Sequence, residues 1–149
     1  MKYKTVKIYK GSDTMEKQTI LFVDDQEVTL AALKRAFLDE PYEKIFVHSG
    51  KEALEILEKQ QVHVIVTDLG MPEMDGRQLL KIASEKHPNT VRIVLSGQSD
   101  INTLLTAVNE GKVFKYITKP WKFEEEFKPA IRDAMEHYAA LTQQKQTVK

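Results

Sequence analysis

The sequence predicts an α/β domain: a doubly wound, five-stranded parallel sheet with helices on both faces. Two observations predict it. From Thr19 onward, short β-branched apolar runs alternate with longer amphipathic segments, five times over, and that alternation builds parallel sheets covered by their own crossover helices. The runs are also nearly continuous in apolar residues rather than alternating, as strands buried on both faces are.

Each element follows in order. The first run, TILFV from Thr19, leads into a helix over Glu27–Leu38. The second, KIFVH, precedes a helix over Gly50–Lys59 that Ser49 is placed to cap. The third, VHVIVT, precedes a helix over Gly76–Glu85, capped by Asp75 and stopped by Pro88. The fourth, VRIVL, precedes a helix over Ile101–Glu110, with Asp100 as its cap and Gly111 just past its end. Its apolar positions Ile101, Leu104, Leu105 and Val108 fall at i, i+3, i+4 and i+7. The fifth, KYIT, precedes a helix over Phe123–Leu141, whose stripe includes Phe127, Ile131, Met135 and Tyr138. Pro129 lies inside that last pattern, and predicts either a kink or a later true start.

Residues 19–141 thus form one domain, with a poorly ordered leader or extension over 1–18 and a tail or linker start over 142–149. The leader has weak alternation in TVKIYK and then a Gly-Ser-Asp break, which fits at most a short extra strand. It is basic but lacks the apolar stretch of a signal peptide. With 22 basic and 22 acidic residues the formal net charge is zero, so nothing favours nucleic acid or a membrane surface as partner. No apolar run approaches the ~20 residues of a membrane span, and the expected compartment is the cytoplasm. The absence of cysteine excludes disulfides, thiol catalysis and thiolate metal sites. The histidines His48, His63, His87 and His137 share no metal-ligand spacing.

Open α/β sheets bind ligands beyond the carboxyl ends of their strands. After the first strand come Asp24 and Asp25, after the third Asp68, after the fourth Ser96, and after the fifth Lys119 and Pro120. Taken singly, each is an ordinary turn or cap residue, and either Asp24 or Asp25 could simply cap the first helix. Taken together, they are chemically complementary. Two adjacent carboxylates at ~5 Å repel by roughly 3 kcal/mol at an effective dielectric near 20. A divalent cation offsets that repulsion. Mg²⁺ suits three carboxylates because it takes oxygen ligands and completes its shell with water and phosphate oxygens. Lys119 and the Ser96 hydroxyl then complement a phosphoryl group.

The segments LFVDDQ, VTDLGMPEMDG, IVLSG and YITKPW closely resemble the receiver domain of two-component response regulators. The resemblance covers residues 19–141 and implies a flavodoxin-like sheet of order 2-1-3-4-5. It implies that Asp68 is the phospho-accepting nucleophile, and that Asp24, Asp25, Asp68 and the Gly70 carbonyl serve Mg²⁺. It assigns Ser96 and Lys119 to the phosphoryl oxygens and makes Ser96 and Tyr116 the switch pair. Gly70 and Gln98 would tune the phosphate lifetime, and the Lys119–Pro120 peptide would be cis. The expected partners are a sensor histidine kinase or phosphotransfer protein, an output domain or partner protein, and a second copy of the chain on phosphorylation. Such a bacterial domain catalyses its own phosphorylation and dephosphorylation but acts as a switch. Trp121 departs from the Phe more usual after Lys-Pro. An aspartate-nucleophile phosphatase would want a second Asp two residues after Asp68, where Gly70 stands. A degenerate receiver acting only as a docking module would have lost an acid, the hydroxyl or the lysine, and none is lost.

Overall fold

The structure, a computed structural model, describes residues 17–97 and 101–147. Five strands alternate with helices: β1 (Thr19–Val23), α1 (Glu27–Ala36), β2 (Glu43–Val47), α2 (Gly50–Lys59), β3 (Val64–Asp68), α3 (Gly76–Lys86), β4 (Val91–Ser96), α4 (Ile101–Gly111) and β5 (Lys115–Thr118). A π-helical turn, Phe123–Phe127, then leads into α5 (Lys128–Thr147). All pairings are parallel and the sheet order is β2-β1-β3-β4-β5. The order reverses at β1, so β1 and β3 are neighbours whose following loops diverge to opposite faces.

The three central strands, β1, β3 and β4, bury both faces because their side chains alternate between two cores, whereas the edge strands β2 and β5 are partly exposed. Ile20, Phe22, Val66, Ile93 and Leu95 face α1 and α5, meeting Leu33, Phe37, Phe127 and Ile131. Leu21, Val23, Ile65 and Val94 face the other helices, meeting Ala53, Leu57, Leu79, Leu80 and Leu104. Each such large side chain contributes about 1.5–3 kcal/mol of burial.

The caps read from the sequence hold for α2 and α3. Ser49 accepts from the Glu52 N–H at 3.1 Å, and Asp75 with Gln78 forms a reciprocal capping box. The cap expected of Asp100 and the strand expected within TVKIYK lie outside the described residues. Pro129 does mark a late start. The chain enters through a π turn, α5 proper begins at Lys128, and Pro129 falls in its first turn, where a missing N–H costs little. α5 then runs to Thr147, past the expected end at Leu141, because TQQKQT contains no helix breaker.

Gly111 is not the left-handed residue after α4. It is the helix's last residue, and the left-handed conformation falls on Lys112, with φ 51°. A glycine is needed at 111 for another reason: a Cβ there would lie 2.8 Å from the Cβ of Leu80, so α4 presses directly on α3.

Candidate functional site

The carboxyl ends of β1, β3, β4 and β5 converge on one cluster. Asp24 follows β1, is 1% exposed, and takes the Gln26 N–H on Oδ1 at 2.9 Å. Neither it nor Asp25 caps α1, whose N-cap is Gln26 without a side-chain bond. Asp68 is the last residue of β3. Asp24, Asp25 and Asp68 can each offer an oxygen such that the three lie within 4.8 Å of one another. Lys119 spans two of them, with Nζ 2.9 Å from Asp68 Oδ1 and 3.3 Å from Asp24 Oδ2. Its own N–H donates to the Ser96 carbonyl at 2.9 Å, which ties the loop after β5 to the end of β4. The Lys119–Pro120 peptide is cis.

The electrostatics are unbalanced. Burial raises the Asp24 pKa above 3.8, against the opposing pull of the Gln26 N–H and the Lys119 ammonium, and the charge of Asp68 adds to the rise. Burial alone would lower the Lys119 pKa, but its bond to Asp68 and the charges of Asp68 and Asp24 outweigh that and hold it above 10.5. One ammonium thus serves two carboxylates. The third is left over: Asp25 Oδ1 is buried with no hydrogen-bond partner. A buried carboxylate oxygen without a donor is expensive unless a cation meets it. An all-oxygen donor set with one unpartnered member fits Mg²⁺.

The backbone around Asp68 is fixed by α3. Gly76 donates its N–H to the Leu69 carbonyl at 2.9 Å, and a Cβ at Gly76 would lie only 2.1 Å from the Asp68 carbonyl oxygen. Only a glycine lets the helix start so close to the site. Gly70 is different. A Cβ there would meet nothing nearer than Asp68 Oδ2 at 4.0 Å, so its lack of a side chain leaves the carboxylate open on that side.

Ser96 is buried one pairing step beyond Asp68 on the adjacent strand, since Asp68 is level with Leu95. Its hydroxyl donates to the Gly97 carbonyl at 3.0 Å rather than to a site residue. Tyr116 lies apart from the cluster, 57% exposed on β5. Gln98 lies outside the described residues. The structure therefore gathers Asp24, Asp25, Asp68 and Lys119 directly, sets Ser96 and Gly70 beside them, and keeps Tyr116 outside. Two contributors were not legible beforehand. The Thr67 hydroxyl donates to the Asp68 carbonyl at 2.9 Å, and the Gln26 N–H orients Asp24. A threonine in a strand and a polar residue in a turn carry no distinguishing sequence mark.

An acidic cluster with its lysine thus stands at the carboxyl ends of the strands, at the switch point of a doubly wound fold. The response regulator receiver domain family matches residues 20–132, so the chain belongs to that family. It is 41% identical over 106 residues to the hydrogenase transcriptional regulatory protein HoxA of Cupriavidus necator, covering 71% of this chain and 22% of the relative. It is 32% identical to the transcriptional regulatory protein GlrR of Escherichia coli, covering 85% of this chain and 28% of that one. The chain thus spans about a quarter of the length of these curated relatives. Among solved structures, the signal receiver domain of an HD domain-containing protein from Pseudomonas fluorescens is 34% identical, with a TM-score of 0.80 over 84% of this chain and 99% of that one. A structure described as an adenylate cyclase from Rhodopirellula baltica is also 34% identical, with a TM-score of 0.81 over 89% and 98% of the two chains.

Proposed function

We propose that this receiver domain accepts a phosphoryl group on Asp68 in a Mg²⁺-dependent reaction and passes the change to the face formed by α4, β5 and α5. The observation that carries this reading is the buried, unpartnered Asp25 Oδ1 within the three-carboxylate cluster, beside an ammonium that already bridges Asp24 and Asp68. Asp24, Asp25, Asp68 and the Gly70 carbonyl would hold the ion, which when bound neutralises their charge and that of the incoming phosphoryl oxygens.

The chain's own residues do the rest. One Asp68 carboxylate oxygen attacks the phosphorus of a phosphohistidine on a sensor kinase or phosphotransfer protein. The P–N bond breaks, its electron pair stays on the imidazole nitrogen, and an acyl phosphate remains on Asp68. Lys119 loses its bond to the free carboxylate and turns to a phosphoryl oxygen. The Ser96 hydroxyl gives up the Gly97 carbonyl for another, and Tyr116 moves from solvent into the space that Ser96 vacates. Open access at Gly70 admits water or a phosphatase, with Gln98 as the second position tuning lifetime. The receiving partner is an output domain or separate protein, or a second copy of the chain docked on the switched face. The transcriptional regulators and the HD domain-containing protein share this part while differing in the rest.

Trp121, the single tryptophan, follows Pro120 directly and packs edge-on against Phe127, so it reports on the Lys119 loop. Titrating Mg²⁺ in the presence of beryllofluoride, a phosphoryl mimic, should change its fluorescence saturably in the wild type and not in Asp68→Asn. A change that needs no Mg²⁺, or that survives in Asp68→Asn, would contradict the reading.

A further inference from the structure

Arg92, the second residue of β4, lies at the end of the sheet away from Asp68 and takes no part in the chemistry above. Its guanidinium donates only to carbonyls: from Nε to Gly111 at 2.8 Å, from Nη1 to Thr90 at 2.6 Å and Pro88 at 3.3 Å, and from Nη2 to Lys112 at 3.4 Å. Its own carbonyl accepts the Phe114 N–H at 2.8 Å. One residue thus holds the loop into β4 and the whole connection from α4 to β5. No carboxylate pairs with it among the described residues. The last carbonyls of a helix are unpaired and carry the negative end of its dipole, so a guanidinium there makes charge-assisted bonds that a neutral donor cannot match.

The two ends of α4 differ sharply. Its last turn is held by Arg92, by the Arg77–Glu110 pair at 3.3 Å, and by the close fit of Gly111 on Leu80. In its first turn Ile101, Asn102 and Thr103 are exposed and Leu104 alone is buried, and Leu105 follows at 58% exposure. A rigid helix fixed at one end moves at the other. With a rise of 1.5 Å per residue, a tilt of about 10° about Gly111 carries Ile101 by roughly 2.5 Å.

We propose that Arg92 is the positioning residue of a hinge: it fixes the carboxyl end of α4, so that phosphorylation of Asp68 displaces the amino-terminal half of the helix alone. This rests on the phosphoryl-acceptor reading and adds where the resulting motion stops. It assigns the interaction change to the end carrying Ile101 and Leu105.

Hydrogen exchange on the full chain, in Mg²⁺ with and without beryllofluoride, tests it. In the wild type the mimic should alter exchange over residues 101–105 and leave 108–114 unchanged. Without the mimic, Arg92→Gln should speed exchange over 108–114 at least about tenfold, the expected loss for bonds from a charged donor. With the mimic, the response in that variant should spread through the entire helix. Arg92→Lys, which retains the charge without the fork, should fall between the two. A wild-type response that runs evenly through 108–114 overturns the hinge even if Arg92→Gln does not fold. So does unchanged exchange at 108–114 in Arg92→Gln. Trp121 fluorescence on the same samples separates the two ideas. A mimic that does not bind sinks the phosphoryl-acceptor reading and the hinge with it, whereas a mimic that binds and moves both ends sinks the hinge alone.

Discussion

At the amino ends of the strands, polar groups have found partners: the Thr90 hydroxyl donates to the Val62 carbonyl at 2.8 Å, and His63 Nδ1 accepts the Thr19 N–H at 3.1 Å. The Arg92 guanidinium there is spread over four carbonyls. At the carboxyl ends three carboxylates crowd around one lysine, and Asp25 Oδ1 is the buried side-chain atom left without a partner among the described residues. The same sheet thus has one end that closes the fold and one that strains it. The second is tolerable because the strands beneath it, with Leu21, Phe22, Ile65 and Val66 fully buried, supply stability that the site does not. The site can therefore hold an electrostatic imbalance without unfolding the domain.

The carboxyl end is most sensitive at Gly76. Gly76→Ala would place a Cβ 2.1 Å from the Asp68 carbonyl oxygen, so α3 or the end of β3 must shift. Urea unfolding should show a loss of about 3 kcal/mol, together with loss of Mg²⁺ binding. Unchanged stability would mean that α3 is not seated on Asp68 as described.

Asp25→Asn acts in the opposite direction. Removing one of three crowded charges should stabilise the metal-free protein by on the order of 1–3 kcal/mol. The wild type should melt higher with Mg²⁺ than without, and Asp25→Asn should lose that rise. A variant that melts lower without metal, or keeps the full Mg²⁺ response, would show that the carboxyl end is not strained by these charges.

The smallest effect belongs to the satisfied end. Thr90→Val keeps the shape but strips the Val62 carbonyl of its donor, and should cost about 1 kcal/mol while leaving Mg²⁺ binding unaltered. If it shifted Mg²⁺ affinity, the two ends would not be independent.

Much of the fold and the acidic cluster was legible in the sequence because burial on both faces writes long apolar runs, and because an open α/β sheet gathers the residues that follow its strands at one edge. Asp24, Asp25, Asp68 and Lys119 could be collected by position alone. What failed were places where three-dimensional proximity overrides local pattern. Gly111, expected just past the end of α4, is its last residue and serves the contact with Leu80, and the left-handed residue is Lys112. α1 ends at Ala36 rather than Leu38 because Phe37 turns into the core and the Leu38 N–H reaches back only to Arg35. The π turn of FEEEF left no mark in spacing, since Phe123 and Phe127 share a face in either helix and both pack on Phe37. Arg92 was invisible for the same reason: its four partners are backbone carbonyls, which carry no residue identity.

On the proposed function, Asp68 accepts a phosphoryl group only when a divalent ion relieves the crowded carboxyl end. Intact-mass spectrometry after incubation with a small-molecule phosphodonor tests it most directly, on wild type and Asp68→Asn, with Mg²⁺ and with chelator. The wild type with Mg²⁺ should gain the mass of one phosphoryl group, and Asp68→Asn or the protein in chelator should gain none. An equal gain in Asp68→Asn, or a gain in the wild type that does not depend on Mg²⁺, would contradict it.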